Sequence, residues 1–120
     1  MNYSLLIIDD EESIRDSLTM ALGRHYEVAS CASGKEALEI LPALAPDLVL
    51  LDIGLPDMSG LEVLDHVRRL SPHAAVIMIT AFEDLDTVIS AMKRGAFDYL
   101  LKPLRMDALK LCLERAKSSI

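Results

Sequence analysis

Two adjacent acids, Asp9-Asp10, follow the apolar run Leu5 to Ile8, and a third, Asp52, follows the run Leu48 to Leu51. Thr80 stands in the same kind of place after Ala75 to Ile79, and Lys102 after Tyr99 to Leu101. Gathered carboxylates repel, by about 4 kcal/mol for two charges roughly 4 Å apart at an effective dielectric near 20, and Lys102 alone does not offset three of them. Hard carboxylate oxygens with a backbone carbonyl and water are the ligand set of magnesium or manganese, not of zinc. A carboxylate is also a nucleophile toward phosphorus once the charge of the incoming phosphoryl group is neutralised. A divalent cation on Asp9, Asp10 and Asp52 would take one phosphoryl oxygen, Lys102 a second and the Thr80 hydroxyl a third. The set therefore points to an aspartyl phosphate.

Each residue also has a plainer reading. Acids favour helix amino ends, so Asp9-Asp10-Glu11-Glu12 reads equally as an acidic first turn. Thr80 reads as a strand terminator, and Lys102, ahead of Pro103, as a solvated turn lysine. Asp52 is different, because it leads into Ile53-Gly54-Leu55-Pro56-Asp57-Met58-Ser59-Gly60, a loop whose Gly and Pro set backbone shape. It has no helix to cap. The coincidence of acid pair, acid, hydroxyl and lysine behind four apolar runs favours the joint reading.

These residues need a scaffold that brings them together. The runs Leu5 to Ile8, Tyr26 to Ala29, Leu48 to Leu51, Ala75 to Ile79 and Tyr99 to Leu101 read as strands. Helical periods lie between them, as in Ile14, Leu18, Ala21 and Leu22, in Ala37, Leu38 and Leu41, and in Leu61, Leu64 and Val67. Ser33 with Glu36 and Ser59 with Glu62 fit capping boxes. Gly95 reads as a left-handed cap, Pro72 as the stop of the third helix, and Leu104 to Lys117 as a last helix. Runs that are apolar at consecutive positions imply strands covered on both faces. The class is α/β, a doubly wound five-stranded parallel sheet of order 2-1-3-4-5, flavodoxin-like. All strand carboxyl ends then share one edge, and the charged residues converge there. Strand two ends in Ser30-Cys31-Ala32 without a charge, as suits an outer strand.

Composition narrows the function classes. The chain has 120 residues, 52% hydrophobic and 26% charged, which suits one domain spanning residues 1–120. A formal charge of −7 has the wrong sign for binding nucleic acid. The basic pairs Arg68-Arg69 and Lys93-Arg94 fit helix carboxyl ends. No apolar run approaches the ~20 residues of a membrane span, so no membrane association is expected. Cys31 and Cys112 form no CxxC pair and suit a reduced, cytoplasmic setting.

Asp9-Asp10, Asp52 ahead of Gly54 and Pro56, Thr80-Ala81 and Lys102-Pro103 together resemble the receiver domains of two-component response regulators, over the whole chain. The resemblance implies phosphotransfer from a phosphohistidine of a sensor histidine kinase to Asp52. It implies Mg2+ (or Mn2+) on Asp10, Asp52, the backbone carbonyl of Gly54 and, through water, Asp9, and a cis Lys102-Pro103 bond. Thr80 would couple to Tyr99 as a rotamer switch, and Gly54 and Phe82 would tune the phosphoryl lifetime. An apolar Phe82 orients no hydrolytic water, so slow self-dephosphorylation is expected. Such a domain is a switch that promotes its own phosphorylation and dephosphorylation, not an enzyme acting on a separate substrate.

The stretch from Thr80 to Tyr99 is similar to the receivers of NtrC-like transcriptional activators, which carry an AAA+ ATPase and a DNA-binding domain as output. An amino-terminal part of a longer regulator is therefore expected, against the alternative of a stand-alone regulator. Helix four, strand five and helix five, with Val88, Met92, Leu111 and Arg115, form the expected homodimer face, although Val88 and Met92 also suit a core. Other functions fit less well. A flavodoxin-like redox module would place flavin phosphate against Asp-Asp-Glu-Glu, and four carboxylates repel it. A Mg2+-dependent aspartyl-phosphate phosphatase would want a second acid where Gly54 stands. A pseudo-receiver that only mediates contacts would not need the complete set.

Overall fold

The computed structural model describes residues 2–81 and 84–120. Strands and helices alternate as β1 (Tyr3–Ile8), α1 (Glu12–Leu22), β2 (Tyr26–Cys31), α2 (Gly34–Leu44), β3 (Leu48–Leu51), α3 (Gly60–Leu70), β4 (Ala75–Thr80), α4 (Leu85–Lys93), β5 (Asp98–Leu101) and α5 (Met106–Ser118). The sheet is parallel with order β2-β1-β3-β4-β5, as the alternation of apolar runs and helical periods predicts.

The period-two geometry of a strand sends alternate side chains to opposite faces, and both faces are covered. Leu6, Ile8, Val49, Leu51, Val76 and Met78 pack against Ala37, Leu41, Val63, Leu64, Val67 and Ala91 of α2, α3 and α4. Leu5, Ile7, Leu48, Leu50, Ile77 and Ile79 face Leu18, Leu22, Leu109, Cys112, Leu113 and Ala116 of α1 and α5. Every residue of β3 and β4 is buried. The edge departs from that pattern. β5 is half-buried through Asp98, Tyr99 and Leu100, and Leu101 is 45% exposed, because nothing pairs with its outer side.

Local signals act with small differences. Ser33 Oγ accepts from Glu36 N–H at 3.2 Å, while Glu36 Oε2 accepts from Ala32 N–H at 2.7 Å, one residue ahead of the cap. Ser59 Oγ accepts from Leu61 N–H at 3.1 Å, so the box expected with Glu62 is replaced by a shorter cap. Gly95 has φ 98°, the left-handed conformation expected of a glycine cap. The last helix begins at Met106, two residues later than the apolar pattern suggests, after a cis Lys102-Pro103 bond. β2 runs on to Cys31 and β4 includes Thr80, since ladder pairing continues past the apolar stretch.

Register aligns the strand ends. Ile8 pairs with Leu51, Leu51 with Met78, and Thr80 with Leu101. The residues next in the chain after Ile8, Leu51 and Leu101 are Asp9, Asp52 and Lys102.

Candidate phosphoacceptor and metal site

Asp9 is held from two sides of the chain: its N–H donates to Cys31 O at 3.1 Å, and its carbonyl accepts from Arg15 Nη1 at 2.7 Å. Its side chain is fully buried. Oδ1 accepts from Glu11 N–H at 2.9 Å, but Oδ2 accepts no hydrogen bond from the described residues. Lys102 Nζ lies 3.0 Å from that oxygen, close enough for an ion pair while off the direction of a hydrogen bond. The acidic run is therefore not simply a helix cap. Glu11 occupies the N-cap of α1 and its carboxylate bonds none of the helix N–H groups.

Asp52 sits immediately beyond β3, with its N–H on Ile8 O at 2.9 Å and its side chain almost wholly buried. Oδ1 accepts from Gly54 N–H at 3.1 Å and Oδ2 from Lys102 Nζ at 3.1 Å. Gly60 is needed behind it. A methyl group on Gly60 would run into the Asp52 carbonyl oxygen and Ile53 Cα, so α3 can start this close to the strand only from a glycine.

Lys102 reaches the site because its N–H extends the ladder to Thr80 O at 2.9 Å. Its ammonium serves three carboxylates, Asp9, Asp52 and Glu11, the last at 3.0 Å. The side chain is 12% exposed, so the solvated-turn reading does not hold. Burial works against the charged ammonium, but the three carboxylates outweigh it and drive its pKa up. Burial raises the pKa of Asp9, opposed by the Glu11 N–H and by Lys102 and reinforced by the nearby charge of Asp52.

One ligand atom from each of Asp9, Asp10, Glu11 and Asp52 lies within 4.8 Å of the others. Four acids against one lysine leave a net negative pocket, and its buried Asp9 Oδ2 has, among the described residues, only that shared ammonium beside it. Both features fit a divalent cation bound through oxygen. Glu11 is not among the residues that the sequence marks for the metal; its exposed position at the helix cap gives no pattern that would single it out.

Thr80 is fully buried at the end of β4, beside Leu101 in register. Tyr99 lies on β5 opposite Met78 and is half-buried, with its hydroxyl pushed up by burial and by the charges of Asp52 and Asp84. Gly54 is exposed at the loop turn. Phe82 lies outside the described residues. On the far side of α4, Met92 is 43% exposed and Val88 half-buried, so Met92 is not core. Leu111 is 60% exposed, and Arg115 Nη2 is bonded to Asp98 Oδ2 at 3.2 Å.

Sequence reasoning also passes over Asp57. It accepts from Gly34 N–H at 2.9 Å and Lys35 N–H at 2.8 Å, and these two bonds hold its carboxyl below the usual carboxylate range. No local pattern marks a side chain whose partners are backbone groups more than 20 residues away.

Comparison with known proteins agrees with this fold. The model of the response regulator receiver domain matches residues 5–114. The DNA-binding transcriptional regulator NtrC of Escherichia coli (strain K12) is 42% identical over 113 residues, covering 93% of this chain and 24% of that protein. The chain spans about a quarter of the length of the curated relatives it matches. A CheY-like receiver domain protein from Methanospirillum hungatei superposes with a TM-score of 0.92 at 32% identity, covering 99% of this chain and 97% of that one. A response regulator protein from Burkholderia pseudomallei, solved with a phosphorylated aspartic acid, calcium ion and citrate, gives 0.89 at 28% identity, covering 98% of this chain and 70% of that one.

Proposed function

We propose, because this chain belongs to the response regulator receiver domain family, that Asp52 accepts a phosphoryl group from a phosphohistidine of a sensor histidine kinase and that the resulting change of shape controls an output domain. One observation carries this reading: the Asp52 carboxylate is fixed between the Gly54 N–H and Lys102 Nζ, beside a buried Asp9 oxygen that shares the same ammonium at 3.0 Å. An Asp52 oxygen attacks phosphorus as the phosphorus–nitrogen bond breaks, and the imidazole departs with the bonding electron pair. In this reading Lys102 neutralises one phosphoryl oxygen and the Thr80 hydroxyl bonds another. Asp9, Asp10, Asp52 and the Gly54 carbonyl are assigned to Mg2+, or Mn2+ in its place. When bound, that ion supplies charge neutralisation and a ligand position for the third phosphoryl oxygen.

Thr80 moving toward the acyl phosphate would free space for Tyr99 to turn inward, which couples the site to α4 and β5. Self-dephosphorylation is slow in this reading, since Gly54 has no side chain with which to place a water and Phe82, two residues past Thr80 in the sequence, is apolar. Residues 1–120 act as the receiver of a longer cytoplasmic regulator, with an AAA+ ATPase and a DNA-binding domain as output. Exposed Met92 and Leu111, with Arg115, form the face through which two phosphorylated copies associate.

The test is incubation with a small phosphodonor and Mg2+, followed by intact mass of the parent protein and Asp52→Asn. The parent should gain one phosphoryl group and the variant none. Equal gain by both, or gain by neither, overturns the assignment.

A further inference from the structure

We infer that Asp57 is a positioning residue for the phosphorylation site: it clamps the loop after β3 onto the amino end of α2 and so fixes the Gly54 carbonyl and Asp52 carboxylate for a divalent cation. This rests on the reading of Asp52 and its neighbours given above. The first N–H groups of a helix lack intrahelical acceptors. In α2 the N–H groups of Gly34, Lys35 and Glu36 all have side-chain acceptors, and the labour is divided between two segments. Ser33 takes Glu36 N–H through its hydroxyl and Ala37 N–H through its carbonyl, at 3.2 and 3.1 Å. Asp57 takes Gly34 N–H on Oδ1 and Lys35 N–H on Oδ2. Because each carboxylate oxygen has its own donor, the contact fixes the orientation of the loop as well as its distance.

Asp57 is the outer anchor of a short segment whose inner anchor is the site itself. At the inner end, Gly54 N–H bonds Asp52 Oδ1 and Gly60 N–H bonds Ile53 O at 2.9 Å. Next to the clamp, Met58 packs where a side chain on Gly34 would stand, so the loop and α2 meet without a gap. Between the anchors, Gly54 and Pro56 are exposed, and among the described residues no side chain other than that of Asp52 hydrogen-bonds to residues 54–56. A carbonyl on such a segment keeps its place only while both ends are held. Loss of a group that orients metal ligands in this way typically costs about 10–100-fold in metal affinity or activity.

A cap of α2 that merely stabilises the helix would have a different signature, and Ser33→Ala supplies the comparison, since it removes a cap bond from the same helix without touching the loop. Mg2+ alone is titrated into the parent, Asp57→Ala, Asp57→Asn and Ser33→Ala, with the Gly54 amide resonance as the signal. Asp57→Ala should weaken Mg2+ binding about tenfold, Asp57→Asn by less, and Ser33→Ala by under about twofold despite a similar loss of thermal stability. Phosphorylation of Asp57→Ala by a small phosphodonor should be slow at limiting Mg2+ and recover at saturating Mg2+. Should Asp57→Ala unfold, the Asp57→Asn titration decides alone. Mg2+ binding by both Asp57 variants as tight as the parent's overturns the inference. Failure of the parent itself to bind Mg2+ overturns instead the reading of the site on which it rests.

Discussion

Asp52 and Lys102, 50 residues apart in the chain, meet through Oδ2 and Nζ at 3.1 Å. The lysine is shared with buried Asp9, so removing it leaves two buried carboxylates facing each other without a counter-charge. Lys102→Ala should lower stability by about 3 kcal/mol without Mg2+. Added Mg2+ should stabilise the variant more than it stabilises the parent, as read by denaturant unfolding with and without the ion. An unchanged unfolding midpoint for the metal-free variant would show that the ammonium is not offsetting the acids.

Gly60→Ala tests how tightly α3 is seated behind Asp52. The added methyl meets backbone atoms of Asp52 and Ile53, which cannot rotate away. A loss of about 2–3 kcal/mol is expected, as for overpacking of a close-packed site. The loss should be accompanied by a shift of the Gly54 amide resonance, because Gly54 N–H bonds the displaced aspartate.

Asp57 makes stability depend on acid pH. Its folded pKa lies below the ordinary 3.8, since the Lys35 and Gly34 N–H groups favour the ionised form. An unfolded chain then binds the proton more readily, so stability from this group is present above the ordinary pKa and is lost as pH falls through the folded value. Asp57→Asn should therefore flatten the acid side of the stability curve below about pH 4, measured by urea unfolding across that range.

Both thiols should be inert in the folded protein. Burial, with Glu36 adding to it, pushes Cys31 up to about 11; burial and Asp98, whose Oδ2 lies 3.3 Å from Cys112 Sγ, push Cys112 up to about 12. Thiolate is the reactive form. Alkylation at pH 8 should track the rate of unfolding at both positions, and rapid labelling of either cysteine under native conditions would contradict the burial described.

Leu111 is 60% exposed and contributes little to the fold. Leu111→Glu should change stability by no more than about 0.5 kcal/mol. If phosphorylated copies associate through the proposed face, it should abolish that association, read as elution volume with and without phosphodonor. Retained association in the variant would move the contact away from α5.

The sheet order was legible because β1, β3 and β4 are buried on both faces, which forces uninterrupted apolar runs, and a helical period between runs leaves few ways to connect them. Asp9, Asp52 and Lys102 were legible for a related reason: a charge immediately after such a run must lie at the common edge. The exposure of β5 was legible only through the strand order, which leaves it at an edge, since Tyr99 to Leu101 by itself reads as apolar whether or not a neighbour covers it. Asp57 was hidden because its partners are main-chain donors, which carry no sequence signature. Glu11 was hidden for another reason: one acid in a row of four looks the same whether it faces solvent or the lysine.

Among the described residues of α4, Ala91 alone is fully buried, whereas α3 buries Gly60, Val63, Leu64 and Val67. A helix with one fully buried side chain and a half-buried Val88 is held less firmly than α3, and its backbone amides should exchange with solvent well before those of α3. The event that tilts such an element need be no larger than the redistribution of a single charge at the adjoining strand end.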